Sequence, residues 1–478
     1  MAFVKLPGQL AKASALALAA SLLVLPTTTT SMAESMTSAV KRAVKTHPSV
    51  KSKRANQRAV ANELEESRSS FLPQVSLFGD AGIERVENDS SLSVRDSGRT
   101  NFTREAGVSV QYTLFDGYER ANILYRNAAR LDGAIWGLLA TSEATALNAV
   151  EAYIDVVRHR ELLAAAHRNI KRHKRILRLI RARVSGGKSP ASDAFQIEER
   201  VFAAQAVEVE ITKALKDANA KYRKAVGRSP GKKMRVARVK HLPKSRSQLE
   251  QTAIANSYEI KALEKVANEN QYAGDASASG LSPKVSLEGR ASIGADRNGS
   301  RGTQNDAYVG LRLQWKLFDG GATDSRAGAF AERAQEALYE RDVRVRDIRE
   351  IAEKSWAAYH EGRKRNAILL KQLKQNKKIV TNYREEYELS KRSLLDVLDA
   401  ERARFNNEFQ QISVSAGYRF SAFRMLAIQS RLMRFFGLHR DAVAPRANNE
   451  QRFRSTNGRA ISTGSSQSVF DINIEPLK

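Results

Sequence analysis

The stretch "YTLFDGYERANI", Tyr112 to Ile123, is answered by "WKLFDGGATDSR", Trp315 to Arg326. Leu-Phe-Asp-Gly thus recurs at an offset of 203 residues, each time after an alternating stretch and before a long proline-free one. Other landmarks repeat in the same order. "LPQVSLFGDAG" at Leu72 matches "SPKVSLEGRAS" at Ser282, and Asp193 in "SDAFQIEER" matches Asp396 in "LDVLDAERA". Gly117 to Asp193 and Gly320 to Asp396 both span 76 residues. Loops normally absorb insertions, so a duplicated span of fixed length points to continuous helix or a hairpin of fixed register. The chain is read as two copies of one helix–strand–strand–helix plan.

Proline is absent between Pro73 and Pro190 and between Pro283 and Pro445, as long helices require. From Leu398 the apolar positions Phe405, Phe409, Ile412, Ala416 and Phe423 form a helical stripe with coiled-coil-like spacing. A helix of about 65 residues would run roughly 100 Å at 1.5 Å per residue, a length suited to a tube. The stretches before each Leu-Phe-Asp-Gly have period two. Val75, Leu77, Gly79, Ala81 and Ile83 alternate with Ser76, Phe78, Asp80, Gly82 and Glu84, and Val108 to Leu114 continue the pattern. In the second copy Val285 to Ile293 and Val309 to Leu317 do the same. Ten-residue strands with one apolar face suit a transmembrane barrel or the edge of a soluble β-domain. Four strands cannot close a membrane barrel, and open edges are not tolerated in lipid. Membrane-spanning strands here require several chains to share one barrel.

Residues 1–33 read as a secretory signal, with Lys5 and Lys12, the apolar "ASALALAASLLVLP" and "SMA" before Glu34. Without cysteine the chain has no disulfide and no site for lipoprotein acylation. The formal charge of +27 would suggest nucleic acid in a cytosolic protein, but the export signal argues against that partner. "GRSPGKK" at Gly227 is one residue short of a phosphate loop and lacks its Ser or Thr, and the histidines show no metal-ligand spacing. Neither catalysis, cofactor nor metal is expected.

These residues resemble the TolC-like outer-membrane efflux and secretion proteins. The resemblance runs from about Glu34 to Arg440 and is carried by the "LFDG" pair and by "SLLDVLDAERARF" from Ser393. It implies an α+β membrane protein: a homotrimer whose protomers each give four strands to a 12-stranded β-barrel, continued by a long α-helical tunnel through the periplasm of a Gram-negative bacterium. Such a protein is an exit duct working with a periplasmic adaptor and an inner-membrane RND or ABC transporter. Gly117 and Gly320 would sit at the strand-to-helix junctions. Asp396 and Asp399, three apart on one helix, would form rings of negative charge in the pore; the alternative is an acidic helix start stabilised by the helix dipole. Tyr387 and Arg392, with Asp193 as partner, match the family's closing links. In "LSKR" before Ser393 this chain lacks a glycine that many relatives have. The expected divisions are 34–227 and 251–440 for the repeats, 228–250 for a basic linker and 441–478 for a polar tail. A soluble periplasmic coiled-coil adaptor is the rival reading; it would lack four strands with an apolar face. The cargo stays open between small compounds and secreted protein.

Overall fold

The computed structural model describes residues 34–87, 100–298 and 301–444. The signal reading for 1–33 and most of the polar loop between the first two strands lie outside the described residues.

The described chain opens with β1 (Glu34–Ser35), α1 (Met36–Thr46) and α2 (Pro48–Ser69). Ser35 caps α1, its Oγ accepting from the Ser38 amide, and Pro48 at the first position pre-sets φ for α2. There follow β2 (Gln74–Arg85), β3 (Thr100–Phe115), α3 (Glu119–Ser185), α4 (Ala191–Val226) and β4 (Met234–Arg235). The second copy runs α5 (Arg246–Asn256), α6 (Tyr258–Ala278), β5 (Lys284–Ala295), β6 (Thr303–Gln314), α7 (Ala322–Glu388) and α8 (Leu394–Ile428). Two short helices, α9 (Leu432–Phe435) and α10 (Arg440–Val443), end the described part. The duplication is plain in the lengths. α3 and α7 have 67 residues each, about 100 Å of helix, and α4 and α8 have 36 and 35.

The strands form one antiparallel sheet in the order β2-β3-β5-β6, joined across the two copies by the β3–β5 ladder. Directly paired residues lie on the same face of such a sheet. One face carries Val75 opposite Val110, Leu77 opposite Val108, Ile83 opposite Phe102, Leu287 opposite Leu311 and Val285 opposite Leu313. The other carries Asp80 opposite Glu105, Ser109 opposite Arg290 and Ser286 opposite Arg312. Val75, Leu77, Ile83, Val309, Leu311 and Leu313 are all exposed on the single chain, and among the described residues the outer edges of β2 and β6 have no strand beside them. On the polar face Glu105 is buried between Arg290 at 3.0 Å and Arg297 at 2.7 Å. Gly107 is required where β3 meets β5, because a Cβ there would lie 2.6 Å from the Ala291 carbonyl oxygen.

One sequence boundary is corrected. The alternation read through Leu317 stops at Gln314, where the ladder with Lys284 ends; Trp315 turns aside and donates Nε1–H to the Leu281 carbonyl at 3.0 Å. The segment read as the linker, 228–250, carries β4, which pairs in parallel with β1, and Ser245 caps α5 from Arg246. At the end of the described residues, α10 brings Val443 and Ala444 into the core.

That core lies at mid-length of the long helices, where Met36, Val40, Leu138, Tyr153, Tyr222, Phe423 and Phe436 are buried together. A second cluster at the far end joins Ile176 and Ile180 of α3, Ile197 of α4, Tyr387 of α7 and Val397 and Leu398 of α8.

The structure gives Leu-Phe-Asp-Gly a physical account. Gly117 and Gly320 have φ of +66° and +71° and lie between the last strand and the long helix of their copy. At Gly117 a side chain is also sterically impossible, a Cβ falling 2.2 Å from that of Ser282. The aspartate before each glycine caps the helix. Asp116 Oδ2 accepts from the Arg120 amide at 3.1 Å and pairs with its Nε at 2.7 Å. Asp319 Oδ2 accepts from the Thr323 amide and hydroxyl at 3.1 and 2.6 Å. The Thr323 hydroxyl in turn holds the Asp319 carboxyl below the usual carboxylate range.

Candidate gate at the helical tip

Both helix hairpins turn in five residues, 186–190 between α3 and α4 and 389–393 between α7 and α8. Each turn needs one left-handed residue at the matching place, Gly187 at φ +68° and Ser390 at φ +58°. The missing glycine therefore does not change the turn. Ser390 adopts the left-handed conformation itself, which costs a residue with a Cβ roughly 1–2 kcal/mol.

The turns hold each other. The Tyr387 ring is buried, and its hydroxyl lies 3.4 Å from Ser189 Oγ in the first turn. The Arg183 guanidinium stacks 5.0 Å from the centre of that ring and reaches Ser390 Oγ at 3.5 Å. Sequence reasoning found Tyr387 but not these two partners. Arg392 stacks 3.8 Å from the Tyr383 ring, pairs with Glu386 and lies 3.9 Å from Asp396. Asp193 stands in the first turn of α4, its amide bonded to the Pro190 carbonyl. Within the protomer, among the described residues, its carboxylate meets neither Tyr387 nor Arg392.

Asp396 and Asp399 are both about half exposed. Ser393 caps α8, accepting from the Asp396 amide at 3.2 Å and donating to its carboxylate at 2.7 Å. Asp396 is thereby fixed in the first turn, where the helix dipole favours its charge. Asp399 has Arg402 at 3.1 Å one turn on. The dipole-stabilised helix start and an acidic pore lining are compatible, because the same carboxylates remain accessible.

A charged centre missed by the sequence lies just behind them. Glu401 is fully buried and is met by Arg172 of α3 at 2.9 Å, by Arg384 of α7 and by Arg404 of α8 at 4.0 Å. The Arg172 contact crosses from the first hairpin to the second. Burial lowers the Arg172 pKa, with Glu401 opposing it, and burial also lowers that of His173 beside it. The available signal was spacing: two residues after Asp399, Glu401 is turned about 200° round the helix, away from the exposed aspartates and into the packed face.

The family model described as outer membrane efflux protein matches residues 39–228 and 249–421. The chain belongs to the outer membrane efflux protein family. It is 27% identical over 376 residues to the outer membrane efflux protein BepC of Brucella suis biovar 1 (strain 1330), covering 77% of this chain and 79% of that one. Among solved structures it is similar to the CmeC outer membrane channel of Campylobacter jejuni, at a TM-score of 0.74 and 14% identity over 83% of this chain and 86% of that one. It is also similar to the open state of the MtrE outer membrane channel of Neisseria gonorrhoeae, at 0.72 and 16% over 85% and 90%. This efflux protein therefore has the α+β fold of outer-membrane channels, and its family is one of channels rather than enzymes. The family match pauses between 228 and 249, the segment that carries β4. Tyr387, Arg392, Asp396, Asp399, Glu401 and Asp193 all fall inside the matched ranges.

Proposed function

We propose that the protein is the outer-membrane exit duct of a tripartite efflux or type I secretion system, conducting substrates passively to the exterior. The observation that carries this reading is the four-stranded sheet, with a continuous exposed apolar face, a charged opposite face and two free edges. Unpaired backbone groups at an edge cost several kcal/mol each in lipid. Three copies joined β6 to β2 would give twelve strands, an even number above the minimum of eight for a closed barrel. The same exposed face disfavours the soluble-adaptor reading.

The tip is the gate. Tyr387, with Ser189 and Arg183, holds the two hairpins together within a protomer. Arg392 and Asp193 face the boundary between protomers, where the carboxylate of Asp193 finds its partner. Asp396 and Asp399 form stacked acidic rings that favour cations in a narrow pore. A periplasmic adaptor and an inner-membrane RND or ABC transporter grip the tip and open it, and the energy comes from the transporter. The test is single-channel recording of the detergent-purified protein in planar bilayers. Wild type should give long-lived small openings, and Arg392→Ala or Tyr387→Phe should raise the closed-state conductance. A water-soluble product without channel activity would overturn the duct; mutant conductance equal to wild type would overturn the gate.

A further inference from the structure

The charge of +27 is concentrated. Residues 36–62 hold seven Lys and Arg and residues 218–249 hold eleven, and neither stretch contains Asp or Glu. The fold brings these two remote stretches together. β1 pairs with β4, and Val40 and Val44 of α1 share a core with Val226, Met234, Val236 and Val239. The backbone beneath is rigid: the Tyr153 hydroxyl bonds both the amide and the carbonyl of Arg235, and Arg160 donates to the carbonyls of Gly231 and Lys232. Of the eighteen cations, all but Arg54 are exposed. Glu250 and Glu353 meet Arg246 at the border of the patch.

Position and composition narrow the partner. Tyr153 and Arg160 lie 34 and 41 residues into α3, roughly 50–60 Å from its membrane end and about 40 Å or more from the tip. Lipid headgroups at the barrel are out of reach. A protein partner would call for an apolar centre to the interface, yet no large apolar side chain is exposed in either stretch; the exposed ones nearest in sequence, Val209 and Leu72, lie further down α4 and just before β2. What fits is an extended polyanion that surrounds the tunnel and is held by charge alone. In the periplasm that chemistry belongs to peptidoglycan, whose peptide stems carry free carboxylates.

We propose that the N-terminal helices and the inter-repeat segment form a basic girdle that binds peptidoglycan carboxylates where the tunnel crosses the cell wall. The proposal rests on the duct reading only for placing this waist in the periplasm.

The test is co-sedimentation of the detergent-purified full-length protein with isolated sacculi, with bilayer channel activity recorded on the same preparations. One variant changes Lys45, Lys51, Lys53, Lys232, Lys233 and Lys240 to Gln. A control changes Lys171, Lys174, Lys371, Lys374, Lys377 and Lys378, six exposed cations nearer the tip, lowering the net charge equally. Wild type and control should pellet alike, and the girdle variant should lose about tenfold while still forming channels. Binding should also fall in about 0.5 M NaCl, because exposed charges are screened, and on sacculi whose carboxylates are amidated. Wild type that stays in the supernatant, a girdle variant that pellets like wild type, or equal loss in the control would each overturn the proposal. So would binding that survives amidation, which would direct the patch to another polymer. Loss of channel activity in wild type would count against the duct and not against the girdle.

Discussion

Replacing Glu401 by Gln tests whether the buried charge centre holds the tip closed. The change keeps the side-chain volume and removes the carboxylate that Arg172, Arg384 and Arg404 share. Breaking a buried pair from one side costs about 3–5 kcal/mol. The Arg172 side chain keeps 12% of its surface in water and Arg384 keeps 29%, so part of that cost is relieved by hydration. Only the Arg172 arm crosses between the hairpins; the Arg384 arm lies within the second. Opening by separation of α7–α8 from α3–α4 therefore sacrifices the Arg172 contact alone, worth ~2–3 kcal/mol once hydration has brought it below that range. Its removal should shift the open-to-closed ratio by roughly 30- to 150-fold per protomer, since 1.4 kcal/mol is tenfold. In planar bilayers Glu401→Gln and Arg172→Met should both raise open probability. Arg384→Met should lower the thermal midpoint while leaving open probability near wild type. A Glu401→Gln variant that melts earlier but gates like wild type would refute the argument, reducing the centre to a structural tie.

The acidic rings are tested by Asp396→Ala with Asp399→Ala, which should weaken cation selectivity measured as reversal potential in a salt gradient; an unchanged potential would remove them from the pore. Ser390→Gly relieves a left-handed residue at φ +58° and should raise the thermal midpoint by the equivalent of ~1 kcal/mol, the strain term less glycine's larger unfolded-state entropy. A lower midpoint would mean that the Arg183 contact to Ser390 outweighs the strain. Glu143 of α3 is buried, its carboxylate accepting from the Leu432 and Met433 amides at 2.5 and 3.2 Å, and burial pushes its pKa up to about 8 against these bonds. The folded state then holds a proton that the unfolded state releases above about pH 4.5, so this contribution is complete below that pH and is lost as pH rises to about 8. Thermal stability should fall across that window in wild type, and Glu143→Gln should flatten the slope; a slope unchanged by the substitution would show that the amide bonds keep Glu143 ionised.

How much of this was legible in the sequence depended on whether the signal was periodic or pairwise. The 67-residue helices and the two-faced strands are periodic features, stamped on the chain by side chains that recur at 3.6 or 2 residues, and duplication wrote each of them twice. The tip turn survived even where its glycine did not, because Ser390 is held left-handed by a hairpin whose lengths and contacts leave it no other conformation. Pairwise contacts leave no such trace. Nothing along the chain places Ser189 against Tyr387, 198 residues away, or Arg172 against Glu401; those meetings exist only once α3 packs beside α8. The aspartate of Leu-Phe-Asp-Gly was in plain view, but its role as a cap is visible only with the helix start located at Glu119 and Ala322. Asp193 shows the converse. A motif can single out a residue whose carboxylate, among the described residues of one protomer, meets neither of the side chains the motif assigns to it, Tyr387 and Arg392.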